Sequence, residues 1–315
     1  MKDLFIITLL IFTFSETLWG KTNLLKTTSF SLHQSSSLFK NIKMKNGPLI
    51  AVIDTGISLK NTALHKNIFF PAKSIPFSRN SQDNNGHGTH VSSIISSLNP
   101  ASKMIPLKYY ESDSSSSQET TKASLLALKY AILNNIPIIN YSGGGPGSIP
   151  QERELFEEAQ RKDIIIILAA GNNGKDIDEA LERKKNEDSF FPANYNFSNF
   201  IVVAATDEEG QNLMPESNYG KKSVFIAAPG KNIEGKNQFG QNIEMTGTSQ
   251  ATAVVTALVS IIKTINPHWG GQQIKKAISA CSIKKKSLEG KVFTSSVVDF
   301  DKTIKWSIEN GLKNM

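Results

Sequence analysis

Cysteine is nearly absent from this 315-residue chain, in which Cys281 is the only one. One cysteine excludes an intrachain disulfide framework. Cys281 lies in the apolar helical pattern IKKAISACS, and we interpret it as a packed thiol and not as a nucleophile. The chain has five histidines but no His-Glu-x-x-His zinc motif.

Long apolar runs are confined to the N-terminus, where Leu4 to Phe14 forms a hydrophobic segment that follows Lys2. This pattern, with Gly20 as the cleavage point, is typical of a secretory signal peptide, although a buried N-terminal strand or helix is the alternative. The segment is too short for a membrane span. We therefore predict a signal peptide over residues 1–20, no membrane span in the mature chain, and a secreted or periplasmic location.

Excess charge of one sign is small. The formal charge is +7, and without residues 1–20 it is +8, from 34 basic and 26 acidic residues. The basic residues are scattered apart from clusters such as residues 284–286, which argues against nucleic-acid binding. With 39% hydrophobic and 20% charged residues, the composition is that of an ordinary globular protein. We expect this protein to be a monomer.

Beyond residue 47, apolar runs alternate with helical patterns. PLIAVID (Pro48–Asp54) is a continuous apolar run typical of a buried parallel strand, and further strands and helices follow in turn. This alternation predicts a doubly wound, mostly parallel α/β sheet with helices on both faces. ESDSSSSQETT (residues 111–121) is predicted to be a solvated loop, and residues 174–189 a charged surface loop or short helix.

Four junctions between these elements carry residues capable of chemistry, and such residues gather at the carboxyl ends of parallel strands. Each has an ordinary structural explanation when taken alone. Asp54 suits a turn, and Ser249 suits a helix cap. His87 and His90 could be structural, or a His-x-x-His metal pair, although no third ligand stands at a familiar spacing. Asn172 follows a glycine at the end of an apolar run.

Together, the segments AVIDTGI, DNNGHGTHVSS and GTSQA resemble the subtilisin-like serine proteases, in which a catalytic Asp, His and Ser follow one another in this order. IINYSGGGPGS, ILAAGNNG and NPHWGGQQIKKAI resemble further segments of that family. The resemblance extends from Pro48 to Trp306. It implies one subtilisin-like catalytic domain over residues 48–315.

The resemblance implies a serine endopeptidase that acts on protein or peptide substrates without a cofactor. Asp54, His87 and Ser249 would form the catalytic triad, and the Asn172 side chain would donate a hydrogen bond to the oxyanion. Two segments with little side-chain bulk would bind the substrate as an added strand, and they comprise Ser142, Gly143, Gly144, Ala169, Ala170 and Gly171.

Two other functions compete with this one. A catalytically inactive binding or scaffold protein of the same family is the alternative, although all four polar site residues are present. A non-proteolytic α/β hydrolase would need Gly-x-Ser-x-Gly and the order Ser, Asp, His. The run Gly247 to Ala251 lacks that motif, and the order is reversed.

The chain departs from the family pattern after Ser249 and near residue 63. Gln250 replaces the usual Met, and Ala253, Val254 and Ala257 replace Pro, His and Gly, although the helix should still form. Ala63 stands where the family commonly has a calcium-binding Asp; because alanine cannot ligate, we expect no metal there.

The polar residues 21–47 are too few for the folded propeptide of many secreted relatives. The enzyme could fold unaided, or the segment could be a short N-terminal arm of the catalytic domain. We favour the arm.

Overall fold

The computed structural model describes residues 47–60, 62–69, 81–110, 117–184 and 187–311, without the side chains of residues 62 and 63. The predicted signal peptide, almost all of the predicted arm and the side chain of Ala63 lie outside the described residues. The division into signal, arm and catalytic domain therefore stays a prediction.

Within the described residues, ten strands form one large sheet and one hairpin. In chain order they are β1 (Leu49–Asp54), β2 (Lys103–Lys108), β3 (Ile138–Tyr141), β4 (Ile165–Ala169), β5 (Phe200–Thr206), β6 (Ile226–Pro229), β7 (Ile233–Lys236), β8 (Asn242–Met245), β9 (Ile283–Lys284) and β10 (Ser296–Val297).

In the same described part of the chain, seven α-helices lie between and after these strands. They are α1 (His87–Leu98), α2 (Ser117–Leu133), α3 (Pro150–Arg161), α4 (Ile177–Glu182), α5 (Thr248–Ile265), α6 (Gly271–Cys281) and α7 (Phe300–Gly311). Short 3-10 turns cover Thr62–Asn67, Ala193–Tyr195 and Lys286–Leu288.

The large sheet has the strand order β2-β1-β3-β4-β5-β6-β10-β9, and every pair except β10–β9 is parallel. After β1 the chain crosses outward to β2 and then returns to the other side of β1 with β3. The order therefore reverses between β1 and β3. At such a switch point the crossing connections diverge, and a crevice opens at the carboxyl ends of the two strands. Asp54 ends β1 at this place, and Ser142 directly follows β3.

Two hydrophobic cores lie on opposite faces of the sheet, because successive strand residues point to opposite sides. In β1, Ile50 and Val52 pack into the core formed with α1, α5, α6 and α7, whereas Ala51 and Ile53 pack into the core with α2 and α3. All four side chains are fully buried. This arrangement confirms the predicted doubly wound α/β fold and explains why the strand reads as a continuous apolar run.

Helix α5 is buried around nearly its whole circumference and contacts α1, α7 and the strands β3 to β6. Among the described helices it is the one long and apolar enough to cross a membrane, but 83% of it is buried within the fold. Core burial accounts for its apolar composition.

At the periphery of the fold, two predicted surface segments can be compared with the structure, and several elements occur that were not predicted. The solvated-loop prediction for residues 111–121 is wrong at its end, because Ser117–Thr121 form the start of α2, where Glu119 favourably faces the positive helix terminus. In the charged insertion, α4 is capped by the Asp176 carboxylate, which agrees with a short helix. The β7–β8 hairpin, the β9–β10 pair and α7 have no counterpart in the sequence prediction.

Candidate active site

The turn before α1 is organised by Asp83, a buried carboxylate. Its Oδ1 accepts hydrogen bonds from Thr55 Oγ1 at 3.0 Å and from the backbone N–H groups of Asn85 and Gly86 at 3.0 and 2.8 Å. Its Oδ2 accepts from the N–H and hydroxyl of Thr89 at 2.9 and 2.6 Å. Because the first N–H groups of a helix have no intrahelical partner, this carboxylate fixes the start of α1.

The start of α1 rests directly on the end of β1. A Cβ atom on Gly88 would lie 2.2 Å from the carbonyl oxygen of Gly56, so only glycine permits this approach. The Gly88 N–H donates to Thr55 Oγ1 at 2.8 Å. The close packing brings His87, the first residue of α1, to Asp54, the last residue of β1.

The imidazole of His87 and the carboxylate of Asp54 form a partly buried hydrogen bond, with 2.7 Å between Nδ1 and Oδ1. The Thr55 N–H donates to the same Oδ1 at 2.8 Å. Since the carboxylate accepts from Nδ1–H, the other ring nitrogen, Nε2, is free to accept a proton. The Asp54 side chain is 2% exposed and that of His87 30%, so the carboxylate is buried and the imidazole remains accessible.

The charge of Asp54 raises the pKa of His87 above its ordinary value, and the burial that opposes this shift is the smaller effect. The neighbouring Asp83 adds a smaller increase in the same direction. The arrangement therefore favours the imidazolium form, which is the form that a general base reaches after accepting a proton.

Ser249 is the second residue of α5 and lies at the same edge of the sheet, 7% exposed. Its Oγ donates to the carbonyl oxygen of Ser142 at 3.4 Å, which is long for a hydroxyl hydrogen bond. No hydrogen bond joins it to His87 among the described residues. Ser249 therefore lies in the first turn of a helix, as the sequence indicates. Its hydroxyl, however, does not cap that helix, because the N-cap residue is Gly247.

Helix α5 forms through the positions where the sequence departs from the family pattern. Gln250, Ala253, Val254 and Ala257 are all buried. The Gln250 side chain turns back, so that its Oε1 lies 3.2 Å from the position a Cβ atom on Gly247 would take. The expectation that the helix would form despite these substitutions is confirmed.

The amide of Asn172 has a fixed orientation. Its Oδ1 accepts from the backbone N–H of Thr248 at 2.9 Å and from the Thr248 hydroxyl at 3.0 Å. A backbone N–H can only donate, so the oxygen must face it and the Nδ2 group must point the other way. Asn172 is exposed, and its two amide hydrogens are available at the edge where Ser249 lies.

The first predicted substrate segment has free backbone groups. Ser142 is held by its side chain, which accepts from Asn140 Nδ2 at 2.9 Å. Among the described residues, no hydrogen bond engages the backbone of Gly143 or Gly144. A Cβ atom on Gly143 would lie 1.9 Å from the Tyr109 hydroxyl, so this segment lies close against its neighbours without side chains of its own.

The second predicted substrate segment is different, because the fold already uses its backbone. The Ala170 N–H donates to Val203 O at 3.0 Å, and its carbonyl accepts from Asn218 Nδ2 at 2.9 Å. The Gly171 N–H donates to Thr248 Oγ1 at 3.2 Å, and its carbonyl accepts from the Asn218 N–H at 2.8 Å. The backbone groups of Ala170 and Gly171 are therefore already paired within the fold, and substrate binding at these two residues stays a prediction. Ala169 is the last residue of β4 and pairs with β5.

The His-x-x-His pair does not converge on one point. His87 turns Nδ1 to Asp54, whereas His90 is buried against the β7–β8 hairpin, with its Nε2 3.3 Å from Ile243 O. Burial lowers the pKa of His90 to about 4. No group of three or more His, Cys, Asp or Glu side chains suited to a metal occurs within the described ranges.

Sequence reasoning missed several organising side chains, among them Asp83, Thr248 and Asn218. Thr248 orients Asn172, and its only sequence signal is its place beside Ser249. Asn218 holds the loop after β4: it donates to Ala170 O, and its Oδ1 accepts from the N–H groups of Asn173 and Lys175, both at 3.0 Å. No local pattern around Asn218 indicates these contacts, since they join residues more than 40 positions apart.

Comparison with known proteins identifies similar sequences and folds. The model of the subtilase family matches residues 45–295. The thermostable alkaline protease of Halalkalibacterium halodurans is 30% identical over 245 residues, which is 74% of this chain and 62% of that protein. Subtilisin Savinase of Lederbergia lenta is 29% identical over 78% of this chain and 87% of its own length.

Among solved structures, one described as the structural basis of subtilase cytotoxin SubAB assembly matches with a TM-score of 0.72. The match covers 91% of this chain and 97% of that one at 24% identity. It shows the fold, whereas the family assignment depends on the sequence matches.

Proposed function

The chain belongs to the subtilase family, and on that basis we propose that it is a serine endopeptidase that uses Asp54, His87 and Ser249. The observation that carries the proposal is the 2.7 Å hydrogen bond between Asp54 and His87, at the sheet edge where Ser249 lies in the first turn of α5. Serine endopeptidase activity also agrees with the similarity to the alkaline protease and the subtilisin.

Acylation begins when Ser249 Oγ attacks the carbonyl carbon of a peptide bond. The hydroxyl proton passes to His87 Nε2, and Asp54 stabilises the imidazolium that forms. When the tetrahedral intermediate collapses, the C–N bond breaks and His87 gives the proton to the departing amine. The acyl group remains bonded to Ser249 as an ester.

The negative charge that develops on the carbonyl oxygen needs donors placed in advance. Asn172 Nδ2 and the backbone N–H of Ser249 would supply them, and the start of α5 contributes a favourable helix-dipole field. Thr248 holds the oxygen end of the Asn172 amide, so little reorientation is required during the reaction.

Deacylation repeats the sequence with water as the nucleophile. His87 takes a proton from water, whose oxygen attacks the ester carbon. The C–Oγ bond then breaks, Ser249 recovers its proton from His87, and the carboxylic acid product leaves.

An inactive binding protein of the same family is the second candidate. The observation that favours it is the Ser249 hydroxyl, which donates to Ser142 O and not to His87. Catalytic hydrogen bonds are often long or misaligned before substrate binds, however, so the contact with Ser142 O does not exclude Ser249 as a nucleophile.

Labelling with a fluorophosphonate separates these candidates. We expect the wild type to form one covalent adduct, mapped to Ser249, and Ser249→Ala to form none. Ser260→Ala, at a buried serine later in the same helix, is the matched control and should be labelled like the wild type. An unlabelled wild type, or equal labelling of Ser249→Ala, contradicts the proposal.

We also propose that the protein is exported, on the support of the signal-peptide pattern in residues 1–20. N-terminal sequencing of protein recovered from outside the cytoplasm should find a chain that starts near Lys21. Recovery of the full-length chain, beginning at Met1, only from the cytosol would contradict export.

A further inference from the structure

The ring of Phe190 lies between the two segments that border Ser249. A Cβ atom on Gly144 would be 2.6 Å from Phe190 Cε1 and 2.8 Å from Cζ. A Cβ atom on Gly171 would be 2.8 Å from Cε2 and 2.9 Å from Cδ2 of the same ring. Different parts of the same ring therefore lie next to both glycines, and a methyl group on either glycine would clash with the ring.

This ring occupies the space next to the reacting atoms. Gly144 lies two residues after Ser142, whose carbonyl oxygen is 3.4 Å from Ser249 Oγ. Gly171 directly precedes Asn172, the proposed oxyanion donor. A substrate residue with its carbonyl carbon at Ser249 Oγ and its carbonyl oxygen toward Asn172 would therefore have the two segments, and the Phe190 ring between them, beside its side chain.

The backbone holds Phe190 in this place from both sides. Its N–H donates to Asn194 Oδ1 at 2.8 Å, and its carbonyl accepts from the Asn194 N–H at 2.9 Å. The next residue, Phe191, exchanges two backbone hydrogen bonds with Gly145 at 2.8 and 2.9 Å. The ring is half-buried and packs on the core beneath α2 and α3. Entry of a large substrate side chain would therefore require the ring to leave a packed position.

We propose that Phe190 fills the recess for the substrate residue that supplies the attacked carbonyl, and so restricts cleavage to bonds after small residues such as glycine, alanine and serine. The inference rests on the proposed endopeptidase function and adds a substrate class to it. Phe190 acts by excluding bulk, because close packing leaves no room for a second large side chain in the same space.

The wild type tests this restriction without any mutation. Peptides that differ only at the residue before the scissile bond should be cleaved with kcat/KM at least about 100-fold higher for alanine than for phenylalanine. Cleavage sites in a denatured protein should show the same preference. Efficient cleavage after phenylalanine, leucine or methionine would overturn the inference.

Substitution of Phe190 should reverse the preference. Phe190→Ala should raise the phenylalanine-to-alanine ratio of kcat/KM by at least about 10-fold, and Phe190→Leu should give a smaller rise in the same direction. Phe191→Ala is the matched control: its ring packs 4.7 Å from the Tyr195 ring, and the ratio should stay as in the wild type. If Phe190→Ala does not fold, Phe190→Leu and the wild-type profile still decide the question.

The fluorophosphonate reaction distinguishes the two levels of failure. A labelled enzyme with an unchanged ratio in both Phe190 variants overturns the role of Phe190 alone. A wild type that is not labelled at Ser249 overturns both the endopeptidase proposal and the specificity that rests on it.

Discussion

The two sides of the candidate site are held to different degrees. On the β1–α1 side, Asp83 accepts five hydrogen bonds and His87 meets Asp54 at 2.7 Å. On the α5 side, the Asn172 amide is equally fixed, but the Ser249 hydroxyl makes one hydrogen bond within the described ranges, at 3.4 Å. The fold thus fixes the proposed base, His87, and the proposed oxyanion donor, Asn172, whereas it holds the proposed nucleophile, Ser249, by one long hydrogen bond.

This difference has a physical reason. The imidazole ring and the amide must be oriented before reaction, because reorienting them during the reaction would add to the barrier. The serine hydroxyl turns about one torsion angle, and leaving a long hydrogen bond costs little. If a bound substrate donates a hydrogen bond to the Ser142 carbonyl oxygen, it would displace the Ser249 hydroxyl from that oxygen. The hydroxyl would then be free to turn toward His87.

Removing the Asp54 carboxylate, on the β1–α1 side of the site, should lower kcat more than any other substitution considered below. Asp54→Asn should lower kcat by about 10⁴-fold, as the same substitution does in chymotrypsin-like proteases, because an amide in place of the carboxylate favours the wrong imidazole tautomer. Steady-state kinetics on an alanine substrate tests it. Asp207→Asn is the control, since the Asp207 carboxylate accepts hydrogen bonds within its own turn. A loss below about 10-fold would show that Asp54 does not orient the base.

Removing the oxyanion donor should have the next largest effect. Asn172→Ala should lower kcat by about 10²–10³-fold with little change in KM, which is the effect of removing the equivalent donor in subtilisin. Asn173→Ala removes a neighbouring exposed amide and should leave kcat within about twofold, since only the donated hydrogen bond matters. Equal losses in the two variants would mean that the loop, and not the Asn172 amide, is responsible.

Loosening the oxyanion donor should cost less than removing it. Thr248→Val deletes the hydroxyl that contacts Asn172 and Gly171 but leaves the backbone N–H that holds Asn172 Oδ1. We expect kcat to fall by about 3- to 10-fold at unchanged KM, the equivalent of about one hydrogen bond.

Thr252→Val is the matched control for Thr248→Val. Its hydroxyl donates to the backbone carbonyl of Thr248 within α5 and not to the Asn172 amide. Thermal unfolding should report a comparable loss of stability in both variants, whereas kcat should fall only in Thr248→Val. A fall of kcat in both variants would mean that the Thr248 hydroxyl contributes only to the stability of the fold.

The smallest effect concerns pH. His87 must be neutral to accept a proton, so activity is lost as the pH falls through its raised pKa. We expect the midpoint of kcat/KM against pH to lie above 6.5 in the wild type. In Asp54→Asn, the residual activity should show a lower midpoint, because burial then acts without the opposing charge. Identical midpoints in the wild type and Asp54→Asn would contradict the conclusion that the charge of Asp54 raises the pKa of His87.

The sequence was sufficient for the fold class and for the residues proposed for catalysis, and insufficient for what surrounds them. Apolar runs predict β1 and α5, and short motifs single out Asp54, His87 and Ser249. The two-residue strands β9 and β10 carry too little pattern to predict. Phe190 stands between Gly144 and Gly171, and Asn218 occupies the Ala170 carbonyl, only because distant segments pack together.

A crystal structure of the fluorophosphonate-treated enzyme would test most directly how the two sides join in catalysis. We expect phosphorus bonded to Ser249 Oγ, the hydroxyl's contact with Ser142 O gone, and the phosphoryl oxygen within about 3 Å of Asn172 Nδ2. An unmodified Ser249, or an adduct whose oxygen turns away from Asn172, would contradict it.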